Sequence, residues 1–379
     1  MSWNPRDTVN LRLEFVQLAL QDGANRRELC RRYGISGKTG YKWLNRYAQS
    51  GEAGLEDRSR KPLSSPNRTA PEIEQRVVVL RNEHHRWGGR KLEQRLRDLG
   101  DPVVPTAGTM TRILHRHGLI TPEASQAATP WQRFEHEQPN DLWQMDFKGW
   151  IELVDGRRCS PLTVLDDHSR FSIVLDACGQ TDTQTVRRRL RDAFRRYGLP
   201  LRINTDNGSP WGSPAQPGQL TTLGIWLIRL GVKLSYSRPA HPQTNGKDER
   251  FHRTLKAELL NGRHFASFRG AQQAFDTWRI VYNTQRPHQA LGMATPLTRY
   301  RPSLRAYPER LPPLQYGDAD TVVRVRINGD LRFMSRRFKV SSALDNLPVA
   351  IRPSTTQPDC YDLYFAHHHF DTIDLNLTK

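Results

Sequence analysis

From residue 142 the apolar residues of this chain switch to a spacing of two, and that switch limits what its central part can fold into. The stretch "LWQMDFKGWIELVDG" alternates apolar and polar residues, Asp155-Gly156 offers a hairpin turn, and "CSPLTVLD" alternates again. A turn at "DDHS" leads into "FSIVLDA", a third strand. Strands joined so closely are antiparallel neighbours in one sheet. The period then lengthens. Val186, Leu190, Phe194 and Tyr197 recur at helical spacing from a start near Thr181, and Gly198 with Pro200 closes that helix. A strand "LRINT", a helix over 218–230, a strand "VKLSYS" and a helix after Gly246 follow. Strands alternating with helices in this way make a mixed α/β layer.

That order, β-β-β-α-β-α-β-α, fits a ribonuclease H-like core. Three acids fall at telling places in it. Asp146 sits inside the first strand on the side of Gln144 and Lys148, while Trp143, Met145 and Phe147 point the other way. A carboxylate on a central strand is costly unless it is paired or holds a cation. Asp206 ends the fourth strand in "NTDNGSPW", and ligands gather beyond the carboxyl ends of strands in open α/β sheets. Glu249 lies on the helix of "HPQTNGKDERFHRTLK", where it shares one face with His252, Arg253 and Lys256. Phe251, Leu255 and Leu259 form the apolar stripe of that helix. Taken singly, Asp206 is a turn former and the helix face a solvated one. Taken together, two strand carboxylates and a helix glutamate make an all-oxygen site suited to Mg²⁺. Two such ions would clamp the attacking and leaving oxygens of a phosphoryl displacement.

The charge of the chain agrees. A formal net charge of +18 calls for a polyanionic partner, nucleic acid first and an anionic membrane surface second. No apolar run reaches spanning length, and the longest, "LTTLGIWLIRLGV", is short and carries Arg229. Four scattered cysteines without a CxxC pair point to reduced thiols in a cytosol, with no zinc ligand set.

Ahead of the core, residues 8–49 read as three short helices with a "GIS" turn before the third, the pattern of a helix-turn-helix. Ser36 would cap the third helix, and Lys38, Thr39 and Lys42 would lie at its exposed start, where such helices meet bases and phosphates. The domain boundaries expected are 1–55 for this unit, 56–70 for a linker, 71–120 for a second helix-turn-helix-like unit, and 121–138 for another linker. The catalytic core with its trailing helix would take 139–305, and 315–379 would form a small all-β barrel of about five strands.

The segments "LWQMDFKG", "NTDNGSPW" and "HPQTNGKDERFHRTLK" closely resemble the three acidic motifs of bacterial insertion-sequence transposases with a retroviral-integrase-type DDE core. The downstream "WRIVYNTQRPHQALGMATPLTRY" resembles the segment that follows the glutamate helix in that family. The resemblance implies that Asp146, Asp206 and Glu249 are a catalytic and metal-binding triad for two Mg²⁺ ions, with Mn²⁺ as a substitute. It makes Lys256 a basic residue one helical face onward. Arg253, beside Glu249 on the same helix face, would meet DNA phosphates, and Asn245 flanks the triad on a loop, where DNA or water contacts are both open. The activity implied is transposition. The protein would bind terminal inverted repeats, cut the DNA strand, and transfer the 3′-hydroxyl into target DNA. It would work as a homo-oligomer, at least a dimer, in the cytoplasm of a bacterium with the nucleoid. Asp206 and Glu249 stand 43 positions apart, wider than is usual in integrases, and "SPAQPGQLTTLG" accounts for the excess as a loop insertion. Two other readings stay open: an inactive DNA-binding regulator derived from a transposase, and a nuclease of the same fold that cuts without joining.

Overall fold

The computed structural model describes residues 8–58, 69–120, 135–212, 219–236 and 246–376. The chain divides into two compact units, Met1–Arg68 and Thr69–Lys379. The first unit holds α1 (Thr8–Ala19), α2 (Arg26–Arg32) and α3 (Gly37–Ser50). Phe15, Val16 and Ala19 of α1 meet Cys30, Trp43 and Leu55 in its small core. Gly40 lets α3 approach closely, since a methyl group there would lie 2.7 Å from Cys30 Sγ and 3.0 Å from the Phe15 ring. The Ser36 hydroxyl accepts the Thr39 N–H at 3.2 Å, so the expected cap is formed.

The second unit begins with α4 (Pro71–Glu83), α5 (Gly89–Asp98) and α6 (Ala107–Arg116), packed around Val77, Trp87, Leu92, Met110 and Ile113. The central layer follows: β1 (Leu142–Phe147), β2 (Ile151–Glu152), β3 (Arg158–Asp166), β4 (Ser172–Cys178), α7 (Thr183–Tyr197), β5 (Arg202–Thr205), α8 (Thr222–Arg229), β6 (Lys233–Tyr236), α9 (Gly246–Leu255), α10 (Phe268–Thr284) and α11 (Pro296–Arg299). Across the sheet the order is β4-β3-β1-β5-β6, antiparallel in the first two pairings and parallel in the last two. One face buries Trp143, Met145 and Val164 against Phe194 of α7 and Trp226 of α8. The other buries Leu165 and Leu175 against Phe251 of α9 and Phe275 and Trp278 of α10.

The first strand is not continuous over 142–156, as its alternation suggests. Phe147 pairs with Leu162 and Ile151 with Cys159, so three residues, 148–150, face two on β3. Gly149 takes φ +89° at this bulge, a conformation that favours glycine. Alternation runs on through the bulge because the extra residue leaves no mark on polarity.

The C-terminal strands are β7 (Thr321–Arg324), β8 (Asp330–Phe333), β9 (Arg336–Lys339), β10 (Pro348–Pro353), β11 (Cys360–Phe365) and β12 (His368–Asp374). Among the described residues they do not close into the expected barrel. They make an open sheet, β12-β11-β10-β7, and a separate β8-β9 hairpin. The reason is what fills the inner face: Ile225 and Ile228 of α8 pack with Val349, Ile351, Leu363 and Phe365. The Ser341 hydroxyl also donates to the Leu220 carbonyl at 2.6 Å, just before α8. A helix covers the apolar face that strand closure would otherwise have to cover.

This packing makes a prediction. Ile228 is 1% exposed, and Ile228→Ala should cost about 2–5 kcal/mol. It should also open the chain between α11 and β7 to limited proteolysis. An unchanged melting curve with unchanged cleavage would mean that α8 does not support the C-terminal sheet.

Candidate active site

The parallel register of β1 and β5 builds the site. Gln144 stands beside Asn204, which carries Asp146 and Asp206, two residues further along each strand, to the same end of the sheet. The Asp146 side chain is about a third exposed, and its Oδ1 accepts the Phe147 N–H at 2.7 Å. Burial, and then the charge of Asp206, push the Asp146 carboxyl up to about 6. Asp206 is exposed, and its Oδ1 accepts the Gly208 N–H at 2.9 Å in the turn after β5. A side chain at residue 208 would crowd it, since a methyl carbon there would lie 3.2 Å from Asp206 Oδ2.

Glu249 is exposed on α9 and, among the described residues, has no hydrogen-bond or ion-pair partner. Arg253 and Lys256 are exposed as well, and Lys256 opens a single π-helical turn, Lys256–Leu260, that continues α9. His252 does not share their face, contrary to the reading from helical spacing. It is 8% exposed and turns inward with Asp248, Phe251 and Leu255. Asn245 lies outside the described residues.

Sequence reasoning missed the group beneath the site. Asp248 is 3% exposed, and its N–H donates to Gln144 Oε1 at 3.2 Å. Its carboxyl lies 3.6 Å from His252 Nε2, which is itself 2.8 Å from the Thr163 hydroxyl. His252 Nδ1 is 3.9 Å from Asp146 Oδ2. Burial first, and then Asp146, hold the Asp248 carboxyl well above the usual range. Burial first, and then Lys148, push the His252 imidazole down to about 3. Burial thus favours the uncharged form of both groups beneath Asp146. A signal for Asp248 existed: with Phe251 and Leu255 it falls on the apolar stripe of α9, where a carboxylate is out of place.

The neighbouring acids serve the scaffold. Asp166 accepts N–H bonds from Asn140 at 2.7 Å and Ser169 at 2.8 Å, while Asp167 takes Lys247 Nζ at 2.5 Å and Gln144 Nε2 at 2.8 Å. Asp167 thereby ties the turn after β3 to the first turn of α9.

In the first unit Lys38 and Lys42 are exposed. Thr39 is half-buried, and its hydroxyl lies 2.9 Å from that of Ser36, so it completes the cap rather than standing free. Lys42 Nζ lies 4.5 Å from the centre of the Trp43 ring, which Arg12 also covers at 4.0 Å. Tyr41, beside Lys42, is 55% exposed and was not singled out from sequence.

Residues 136–242 and 230–296 each match the family description of an integrase core domain. Residues 11–62 match a helix-turn-helix domain, and residues 39–114 a homeodomain-like domain. The chain is similar to an uncharacterized 39.2 kDa protein of insertion element IS476 from Xanthomonas euvesicatoria, with 28% identity over 250 residues that cover 64% of this chain and 69% of that one. It is similar to the transposase for insertion sequence element IS904 from Lactococcus lactis, with 24% identity over 246 residues, 59% of this chain and 91% of that one. Among solved structures it is similar to the HTLV-2 integrase catalytic core domain in complex with magnesium, with 17% identity, 43% of this chain and 97% of that chain covered, and a TM-score of 0.33.

The raised Asp146 carboxyl sets the sign of a pH effect. In the folded chain it keeps its proton up to about 6, whereas the ordinary value is 3.8. The unfolded chain releases that proton first, so metal-free stability falls as pH rises from the lower value through the higher. Asp146→Asn removes the penalty, which for a part-exposed side chain is about 1 kcal/mol. The variant should melt above wild type at neutral pH, and the gap should close near pH 4. An equal gap at both pH values would contradict the shift.

Proposed function

We propose that this chain, which belongs to the DDE transposases of bacterial insertion sequences, cuts and joins DNA at Asp146, Asp206 and Glu249. The observation that carries the assignment is the pairing of β1 with β5, which sets two like charges side by side with Asp146 held above its ordinary range. Such a pair calls for a cation between its members. Although the group whose ligand atoms already lie within 4.8 Å of one another is Asp146, Asp248 and His252, the donor chemistry of the triad suits a cation, since all three are carboxylates and Glu249 is unengaged among the described residues. Bound there, Mg²⁺, two ions in our reading with Mn²⁺ as a substitute, supplies Lewis-acid neutralisation of charge on the oxygens around phosphorus.

The residues of the chain do the rest. A water and then the freed 3′-hydroxyl attack in line, with no protein–DNA bond formed, so the site has to position and neutralise rather than supply a nucleophile. Arg253 and Lys256 stand exposed on the helix of Glu249, suited to gripping neighbouring phosphates. The buried Asp248–His252–Thr163 group holds the floor beneath Asp146.

Recognition of terminal inverted repeats falls to residues 1–55, through Lys38, Lys42 and the helix start capped at Ser36 and Thr39. Residues 71–120 act as a second DNA-binding unit. We also assign a DNA contact to Asn245. We assign 139–305 to a ribonuclease H-like core and 315–379 to a module that touches DNA or a partner subunit. Two element ends must be held together, so the working form is at least a dimer on element and target DNA. No described helix is long and apolar enough to cross a membrane. We place the protein in the cytoplasm with the nucleoid.

Two experiments test this reading. Glu249→Gln should abolish cleavage and joining of a pre-cut end, while Asp248→Asn, which fills the same space without a charge, should retain most of both. The opposite ranking would move the metal site to Asp146, Asp248 and His252, whose ligand atoms all lie within 4.8 Å of one another. Deleting residues 1–65 should erase the preference for repeat over random duplex and leave weaker, salt-sensitive binding. A truncated protein that discriminates as before would put recognition elsewhere.

A further inference from the structure

We infer that Trp150, backed by Arg158, is a stacking platform for a base of the DNA strand held at the acidic site, an inference that rests on the proposed function. Trp150 is 55% exposed, and Arg158 Cζ lies 4.4 Å from the centre of its ring. The guanidinium takes one face of the indole and leaves the other to solvent.

The bulge puts it there. Without the extra residue at 148–150, Trp150 would keep the parity of Gln144 and Asp146 and point toward α9. With it, Ile151 turns inward beside Cys159, and Trp150 passes to the opposite face with Arg158. The sheet thus gives up a regular pairing to hold a large aromatic ring out in water.

The location suits a nucleic acid. Trp150 is four residues past Asp146, at most about 14 Å along the backbone. Bases along one strand rise about 3.4 Å each, so the ring can reach a base a few nucleotides from a phosphate at Asp146. Lys148 stands between, and its charge is felt at Asp146. Among the described residues neither Lys148 nor Arg158 has an ion-pair partner, whereas the nearby Arg157 is bound to Asp155 at 2.5 Å. An open indole face beside two uncommitted cations complements a base and its phosphates, and stacking of this kind tolerates any base.

The test uses the full-length protein and a pre-cut element end. With 5-iodouracil placed in turn at each of the first few positions, irradiation should give an adduct at Trp150 from one position. Trp150→Ala should weaken end binding, and slow joining at limiting DNA, roughly five- to hundredfold with melting unchanged, as loss of one base–aromatic stack implies. Trp150→Phe should stay within about threefold of wild type, because a smaller ring still stacks. No adduct at Trp150 from any position, or Trp150→Ala joining as fast as wild type, would reduce the pair to a surface contact within the protein. Wild type that joins no end at all would instead count against the proposed function.

Discussion

Two carboxylates held side by side by a parallel strand pairing are the constraint on which the rest of this structure depends. Hydrogen bonds between β1 and β5 align Gln144 with Asn204, and the next residues outward of that parity are Asp146 and Asp206. The backbone ladder supplies the force, because like charges in a part-buried place would otherwise separate. Its effect is visible in the Asp146 carboxyl, lifted to about 6 by burial and by its neighbour. The apolar packing on both faces of the sheet keeps the pairing in register.

Around that strained pair, further charge is kept out. Asp248 and His252 lie beneath Asp146, held by Thr163 and Gln144, where burial favours the uncharged form of each. The basic groups stand outside, with Lys148 at the bulge and Arg253 and Lys256 on the outer face of α9. Buried floor, acidic centre and basic rim fit the site we propose for metal and phosphodiester.

Much of this was legible from sequence, for physical reasons that differ by element. The cap at Ser36 follows from a hydroxyl placed before a helical run, and it forms. The strands and helices of the core follow from their periods. Asp146 reads as a carboxylate inside a strand, and Asp206 as one beyond the carboxyl end of a strand, and the structure puts them at those places. What escaped depends on distant partners. His252 looks solvent-facing by spacing, but Thr163 and Asp248 draw it inward. The bulge at Gly149 preserves alternation and cannot be seen in polarity. Closure of the last domain into a barrel failed because α8, far earlier in the chain, supplies the covering face.

Carbon-13 NMR of the Asp146 carboxyl, titrated against pH in metal-free protein and again with Mg²⁺, tests the central claim directly. The account predicts a midpoint near 6 without metal and one driven well below the ordinary 3.8 with it, a change that Asp206→Asn should weaken. A midpoint near the ordinary value in metal-free protein, unmoved by Mg²⁺ and by Asp206→Asn, would contradict it.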